Sequence, residues 1–185
     1  YYPGLRRMIT EADVATYQHV SEGMAALLPL MKEAFGVDRL RPVEASFCLV
    51  TKRPEDLGMN QHTPHYDSPD PRYFAFLHFL NVEPQGGTSF YRHRATGFER
   101  LNLARVAAYA DARDEELARE GPPPVSYISE STDQFERTGF FEAKYNRLLV
   151  YQGSVLHSGR IPPDFAYSDD PVTGRLTLNI FAVAE

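Results

Sequence analysis

Residues 72–82 (RYFAFLHFLNV) form an almost unbroken apolar and aromatic run, with Pro71 immediately before it and Pro84 shortly after it. Proline cannot donate to a strand ladder, and a continuous apolar run between such breakers reads as a strand buried on both faces. A chain that must hide this strand needs other layers on either side of it. The run therefore predicts a central strand, and most of the remaining sequence supplies its neighbours.

Residues 43–51, 147–152 and 175–183 carry β-rich composition, and Leu176, Leu178 and Ile180 fall on one face of the last of these. A tight turn at residues 83–87 leads into a short strand at 88–91, and residues 140–145 suit another strand. Residues 125–138 read equally as loop or short strand, and residues 1–4 as a turn or extended lead-in. Two helices are expected. Thr10 caps the first, about residues 10–35, with Glu11 and Asp13 in its first turn. Its apolar stripe is Val14, Tyr17, Met24, Leu28, Met31 and Phe35; Pro29 should kink or split it, and Gly36 ends it. The second, about 98–120, is an insertion between halves of the sheet and stops at Gly121 and the prolines after it. With no repeat or low-complexity tract, 185 residues fit one domain spanning 1–185. The fold class is mainly β with flanking helices.

A net charge of −6 supplies no global positive field for a phosphate backbone, so a nucleic-acid partner is not expected. The longest strongly apolar run is far shorter than the roughly 20 residues of a membrane span, so no membrane partner is expected either. The single cysteine, Cys48, excludes an internal disulfide framework and reads as a buried strand thiol; this suits a reducing, cytoplasmic setting.

Chemistry concentrates at His65-Tyr66-Asp67. Side chains two apart on an extended segment point to the same side, so an imidazole and a carboxylate converge there. The imidazole of His157 would complete the two-histidine, one-carboxylate set that holds non-haem Fe(II) on one face. A His-x-Asp triplet alone is weak, since such a pair more often caps a turn. The order of features around it is more specific: an aromatic strand, the turn Asn81 to Gly87 followed by Thr88-Ser89-Phe90, an apolar strand leading to His157, and a last strand opening Arg175-Leu176-Thr177.

In that succession the chain resembles the Fe(II)- and 2-oxoglutarate-dependent oxygenases, in particular their prolyl-hydroxylase-like branch, over about residues 43–183. The resemblance implies a double-stranded β-helix, a jelly-roll related to cupins. It implies His65, Asp67 and His157 as iron ligands. It also implies Arg175 as the anchor for the distal carboxylate of 2-oxoglutarate, with Thr177 adding a hydrogen bond. Tyr73 is a further donor to the cosubstrate on this reading, although tyrosines on apolar strands are usually core residues. The interval from His157 to Arg175 is longer than in close relatives, which the loop at 161–173 accounts for; Arg160 is the rival anchor.

The implied reaction consumes O2 and 2-oxoglutarate and hydroxylates a small molecule, an amino-acid derivative or a peptide side chain. An aspartate at position 67 favours hydroxylation over halogenation. Two other readings stay open: a catalytically silent jelly-roll binding module, and a cupin-like Zn-dependent hydrolase. His78 reads as a satisfied core histidine and His62 as a solvated loop residue. Arg92, His93 and Arg94 suit an anionic substrate or an exposed polar loop, and the charges at 111–120 a solvated helix face.

Overall fold

The computed structural model describes residues 2–83 and 85–185. Over those residues the chain forms eight strands in two antiparallel sheets, with two α-helices. In chain order these are β1 (Gly4–Met8), α1 (Val14–Phe35), β2 (Leu40–Val50), β3 (Tyr73–Phe79), β4 (Gly87–His93), α2 (Leu103–Glu120), β5 (Phe135–Glu142), β6 (Leu148–Gln152), β7 (His157–Arg160) and β8 (Leu176–Ala184). The five-stranded sheet runs β1-β2-β8-β3-β6 and the three-stranded sheet β5-β4-β7. The protein is mainly β, as its composition and strand patterns lead one to expect.

The aromatic run becomes β3, which lies between β8 and β6, while the middle position of the sheet goes to β8. Alternation along these two strands sets the layers. Leu178, Ile180 and Ala182 of β8 join Phe74 and Phe76 of β3 against Val20, Met24 and Met31 of α1. Each such side chain contributes roughly 1.5–3 kcal/mol by leaving water. The opposite face, with Thr177, Asn179 and Phe181 of β8 and Tyr73 and Leu77 of β3, lines a cavity. Thr88 of β4 and His157, Ser158 and Gly159 of β7 line the same cavity, so both sheets wall it.

Several local expectations change. Gly4–Met8 is a strand, paired in register with β2 from Gly4↔Val50 to Met8↔Ser46. A Cβ on Gly4 would stand 2.0 Å from the Leu49 carbonyl oxygen, so this close approach requires glycine. Helix α1 starts at Val14, because the Asp13 carboxylate turns back to accept from the Thr10 N–H (3.0 Å) and hydroxyl (3.3 Å). Pro29 neither splits nor ends α1; it sits on the exposed face, where solvent reaches the carbonyl its ring leaves without a donor. Val14 and Tyr17, at the start of the expected stripe, are exposed. Gly36 ends the helix in the left-handed conformation, with φ of 69°.

Helix α2 connects two strands that pair directly, β4 and β5, within one sheet. Its polar face is not wholly solvated. Glu116 is buried, with each carboxylate oxygen 3.0 Å from His93 Nε2, and Arg113 Nη1 donates to it at 2.6 Å. That contact pins α2 to β4. Cys48 is buried as expected, and burial pushes its thiol up.

Candidate metal centre

His65 is held by a two-residue antiparallel bridge, not by a continuous strand. Its N–H donates to the His157 carbonyl (2.9 Å) and the His157 N–H donates back to its own carbonyl (2.8 Å). Two residues later the Asp67 N–H donates to the Gly153 carbonyl at 2.7 Å. The expected convergence of His65 and Asp67 therefore arises from two separate anchors on the β6–β7 connection and β7. Gly153 makes room for it: a Cβ there would stand 2.7 Å from the Tyr73 ring and 3.3 Å from Asp67 Cβ.

The side chains of His65, Asp67 and His157 offer ligand atoms that all lie within 4.8 Å of one another. Asp67 Oδ1 is 3.8 Å from His65 Nε2, and Oδ2 is 3.7 Å from His157 Nε2. Both separations are too long for a hydrogen bond, so the carboxylate faces two ring nitrogens without closing on either. His157 Nδ1 is 2.9 Å from the Val155 carbonyl, which requires its proton on Nδ1 and leaves the Nε2 lone pair facing the cluster.

Burial sets the charges. It lowers the His65 imidazole well below the usual histidine range, and neighbouring His157 lowers it further. Burial raises the Asp67 carboxyl, while His157 opposes that rise. Asp67 is exposed through its main chain, yet its side chain keeps only 16% of its accessible surface. One carboxylate and two imidazoles, gathered where water is largely excluded, form a donor set that a divalent transition metal fits.

The cluster opens on the cavity between the sheets, about 500 Å³ in volume. Arg175 is 3% exposed and lines the same cavity. Its Nε donates to the Gln85 carbonyl (3.1 Å) and one Nη to the Gly87 carbonyl (2.9 Å), and the guanidinium lies 5.4 Å from the centre of the Phe79 ring. No carboxylate of the described residues lies within ion-pair distance of it. Burial lowers its pKa, which the surrounding Tyr2, Tyr127 and Tyr151 partly offset. Thr177 is fully buried on the same strand face, and its hydroxyl has no hydrogen-bond partner. Tyr73 lines the cavity too, its ring stacked on Phe181 at 5.5 Å.

The other sequence candidates lie elsewhere. Arg160, the rival anchor, pairs with Glu130 at 3.3 Å and lies 5.1 Å from the centre of the Phe140 ring. His62 is buried rather than solvated, with Nδ1 3.0 Å from the Ser126 carbonyl. His78 bonds Asn146 Oδ1 at 2.8 Å. Arg92 pairs with Glu99 and Glu136, His93 with Glu116, and Arg94 Nε donates to the Thr132 carbonyl, so this basic triplet faces its own protein. Sequence reasoning missed Tyr2, Thr88, Tyr151 and Asn179, all of which line the cavity. Asn179 was within reach of period two from Arg175 and Thr177. Tyr151 lies in an ordinary apolar strand and Tyr2 beside a proline, and neither carried a signal.

Fold and cluster together define a mainly β protein with a His-Asp-His group set between two antiparallel sheets. By sequence the chain belongs to the family of unknown function DUF6445, matched over residues 1–182. No curated protein and no solved structure matches it significantly. Among the described residues no helix is long and apolar enough to cross a membrane.

Proposed function

We propose that the chain is a non-haem Fe(II)- and 2-oxoglutarate-dependent oxygenase, a hydroxylase acting on a small molecule or an amino-acid or peptide side chain. On this reading its two sheets are the halves of a double-stranded β-helix. The observation that carries the proposal is Arg175, a buried guanidinium without a carboxylate partner in the same cavity as His65, Asp67 and His157. An uncompensated buried charge is costly, and an anionic ligand removes that cost. A Zn-dependent hydrolase needs no such anchor, and a silent module needs no such cluster.

His65, Asp67 and His157 would hold the metal, and Arg175 with Thr177 the distal carboxylate of the cosubstrate. When bound, Fe(II) with 2-oxoglutarate and O2 supplies C–H hydroxylation: one oxygen atom goes to the substrate and the other to succinate, with release of carbon dioxide. The chain's own part is orientation. Val155 fixes the His157 tautomer through its carbonyl, and Gln85 and Gly87 fix the Arg175 plane, so both groups are placed before ligand arrives. Tyr73, Leu77, Tyr151 and Phe181 give the cavity an apolar wall that keeps water from the reacting centre. The test is substrate-independent turnover of 2-oxoglutarate to succinate by Fe(II)-loaded protein in air. His157→Ala should abolish it, and Arg175→Met should raise the 2-oxoglutarate concentration needed by about tenfold or more. Equal succinate formation by wild type and His157→Ala would refute the reading.

A further inference from the structure

Behind Arg175 the cavity is closed by the chain's first described residues. The Pro3 carbonyl accepts from the N–H groups of Thr51 and Lys52, both at 3.3 Å, and Gly4 lies flat on β2. These contacts place the Tyr2 side chain among Val50, Leu57, Tyr127 and Ile161. Its hydroxyl is sealed from solvent and has no hydrogen-bond partner. Arg175 and Thr177 both lie within hydrogen-bonding reach of that hydroxyl, yet neither is aligned to close a bond with it. Thr88, on the facing sheet, adds a third buried hydroxyl without a partner. Tyr127 differs, since its hydroxyl is already committed to the Lys52 carbonyl at 2.7 Å.

A buried hydroxyl left without a partner costs about 1–3 kcal/mol, so three lining one cavity with a guanidinium that has no carboxylate partner are hard to account for as packing alone. All are able to donate, Arg175 can only donate, and the group that satisfies them together is an anion with several acceptor lone pairs. We infer that Tyr2 is a positioning residue of an anion clamp, its hydroxyl donating with Arg175, Thr177 and Thr88 to the terminal carboxylate of a dicarboxylate ligand. Burial keeps the phenol protonated, its pKa pushed up to about 12 against the pull of Arg175, so it remains a donor at any physiological pH. The inference rests on the reading of Arg175 as the anchor but not on the metal chemistry. The segment that leads into the edge strand β1 thereby sets cosubstrate affinity.

Tyr2→Phe keeps the ring in its apolar nest and removes only the hydroxyl. Two calorimetric titrations test it: 2-oxoglutarate into Fe(II)-loaded protein without oxygen, and glutarate into metal-free protein. The variant should bind both about tenfold or more weakly, the loss of one hydrogen bond to a charged group. Its ligand-free melting temperature should stay level or rise, because an unsatisfied buried group is gone. Affinities within twofold of wild type would overturn the clamp and leave the oxygenase reading standing. Tyr2-dependent glutarate binding without 2-oxoglutarate binding by the Fe(II) form would uphold the clamp and sink the oxygenase. Wild type that binds neither ligand would overturn both.

Discussion

Asp67 and His65 illustrate how titratable groups held out of water weaken the protein that carries them. Burial raises the carboxyl of Asp67, so the stability its protonated form gives the fold is present at low pH and lost as pH rises through its folded value, leaving a cost at neutral pH. Asp67→Asn should therefore raise the melting temperature of metal-free protein at neutral pH while abolishing metal binding. A lower melting temperature would show that the carboxylate is structural. His65 has the opposite sign. Its folded pKa is depressed below the ordinary value near 6.5, so its contribution is present above that value and lost as pH falls towards the depressed one. Metal-free protein should lose stability as pH falls below the ordinary histidine value of about 6.5, and His65→Gln should flatten that part of the curve in thermal melts. At this scale the sequence was most legible. Spacing pointed to His65 and Asp67 with His157, the family resemblance to Arg175 and Thr177, and all five line one cavity. Asp67 was expected to be placed by a strand; a bridge and one bond to Gly153 place it instead, and no local pattern foretells a bond between residues so far apart in sequence.

Elements were legible where their own side chains set them and opaque where a neighbour did. The aromatic β3 and the amphipathic middle of α1 announce themselves by what they bury. By contrast β1, Gly-Leu-Arg-Arg-Met, exists because its backbone pairs with β2, and most of its residues face solvent, so it carries no apolar period to read. Strand β5 is similar, an edge strand with exposed Phe140 and Phe141 and a register shift opposite Phe90 and Tyr91. The Gly86-Gly87 pair was read as a turn, and its physical requirement is stricter than that. Gly86 has φ of 73°, and a Cβ on it would stand 1.9 Å from the Arg160 carbonyl oxygen. Gly86→Ala should cost on the order of 1–3 kcal/mol in denaturant unfolding and shift the carbonyls of Gln85 and Gly87 that hold Arg175. A variant as stable as wild type would show that this turn relaxes freely.

For the whole molecule, the arrangement of two sheets is what turns scattered residues into a site. The five-stranded sheet contributes Thr177 and Tyr73, with Arg175 just ahead of β8, the three-stranded sheet His157, and a bridge and loop between them His65 and Asp67. Composition could indicate a β-rich chain, but sheet membership depends on pairings between residues distant in sequence, such as Ser46 with Asn179, which no local window contains. The helices act from outside: α1 seals the back of the large sheet, and α2 is fastened to β4 through His93 and Glu116. The proposed function requires that one cavity bind a metal and a 2-oxo dicarboxylate side by side. Addition of Fe(II) and then 2-oxoglutarate under anaerobic conditions tests it directly, read as the visible charge-transfer band of a chelated complex. The band should form with wild type, vanish in His157→Ala, and require much more 2-oxoglutarate in Arg175→Met; its absence from metal-replete wild-type protein would rule out a shared site for metal and cosubstrate.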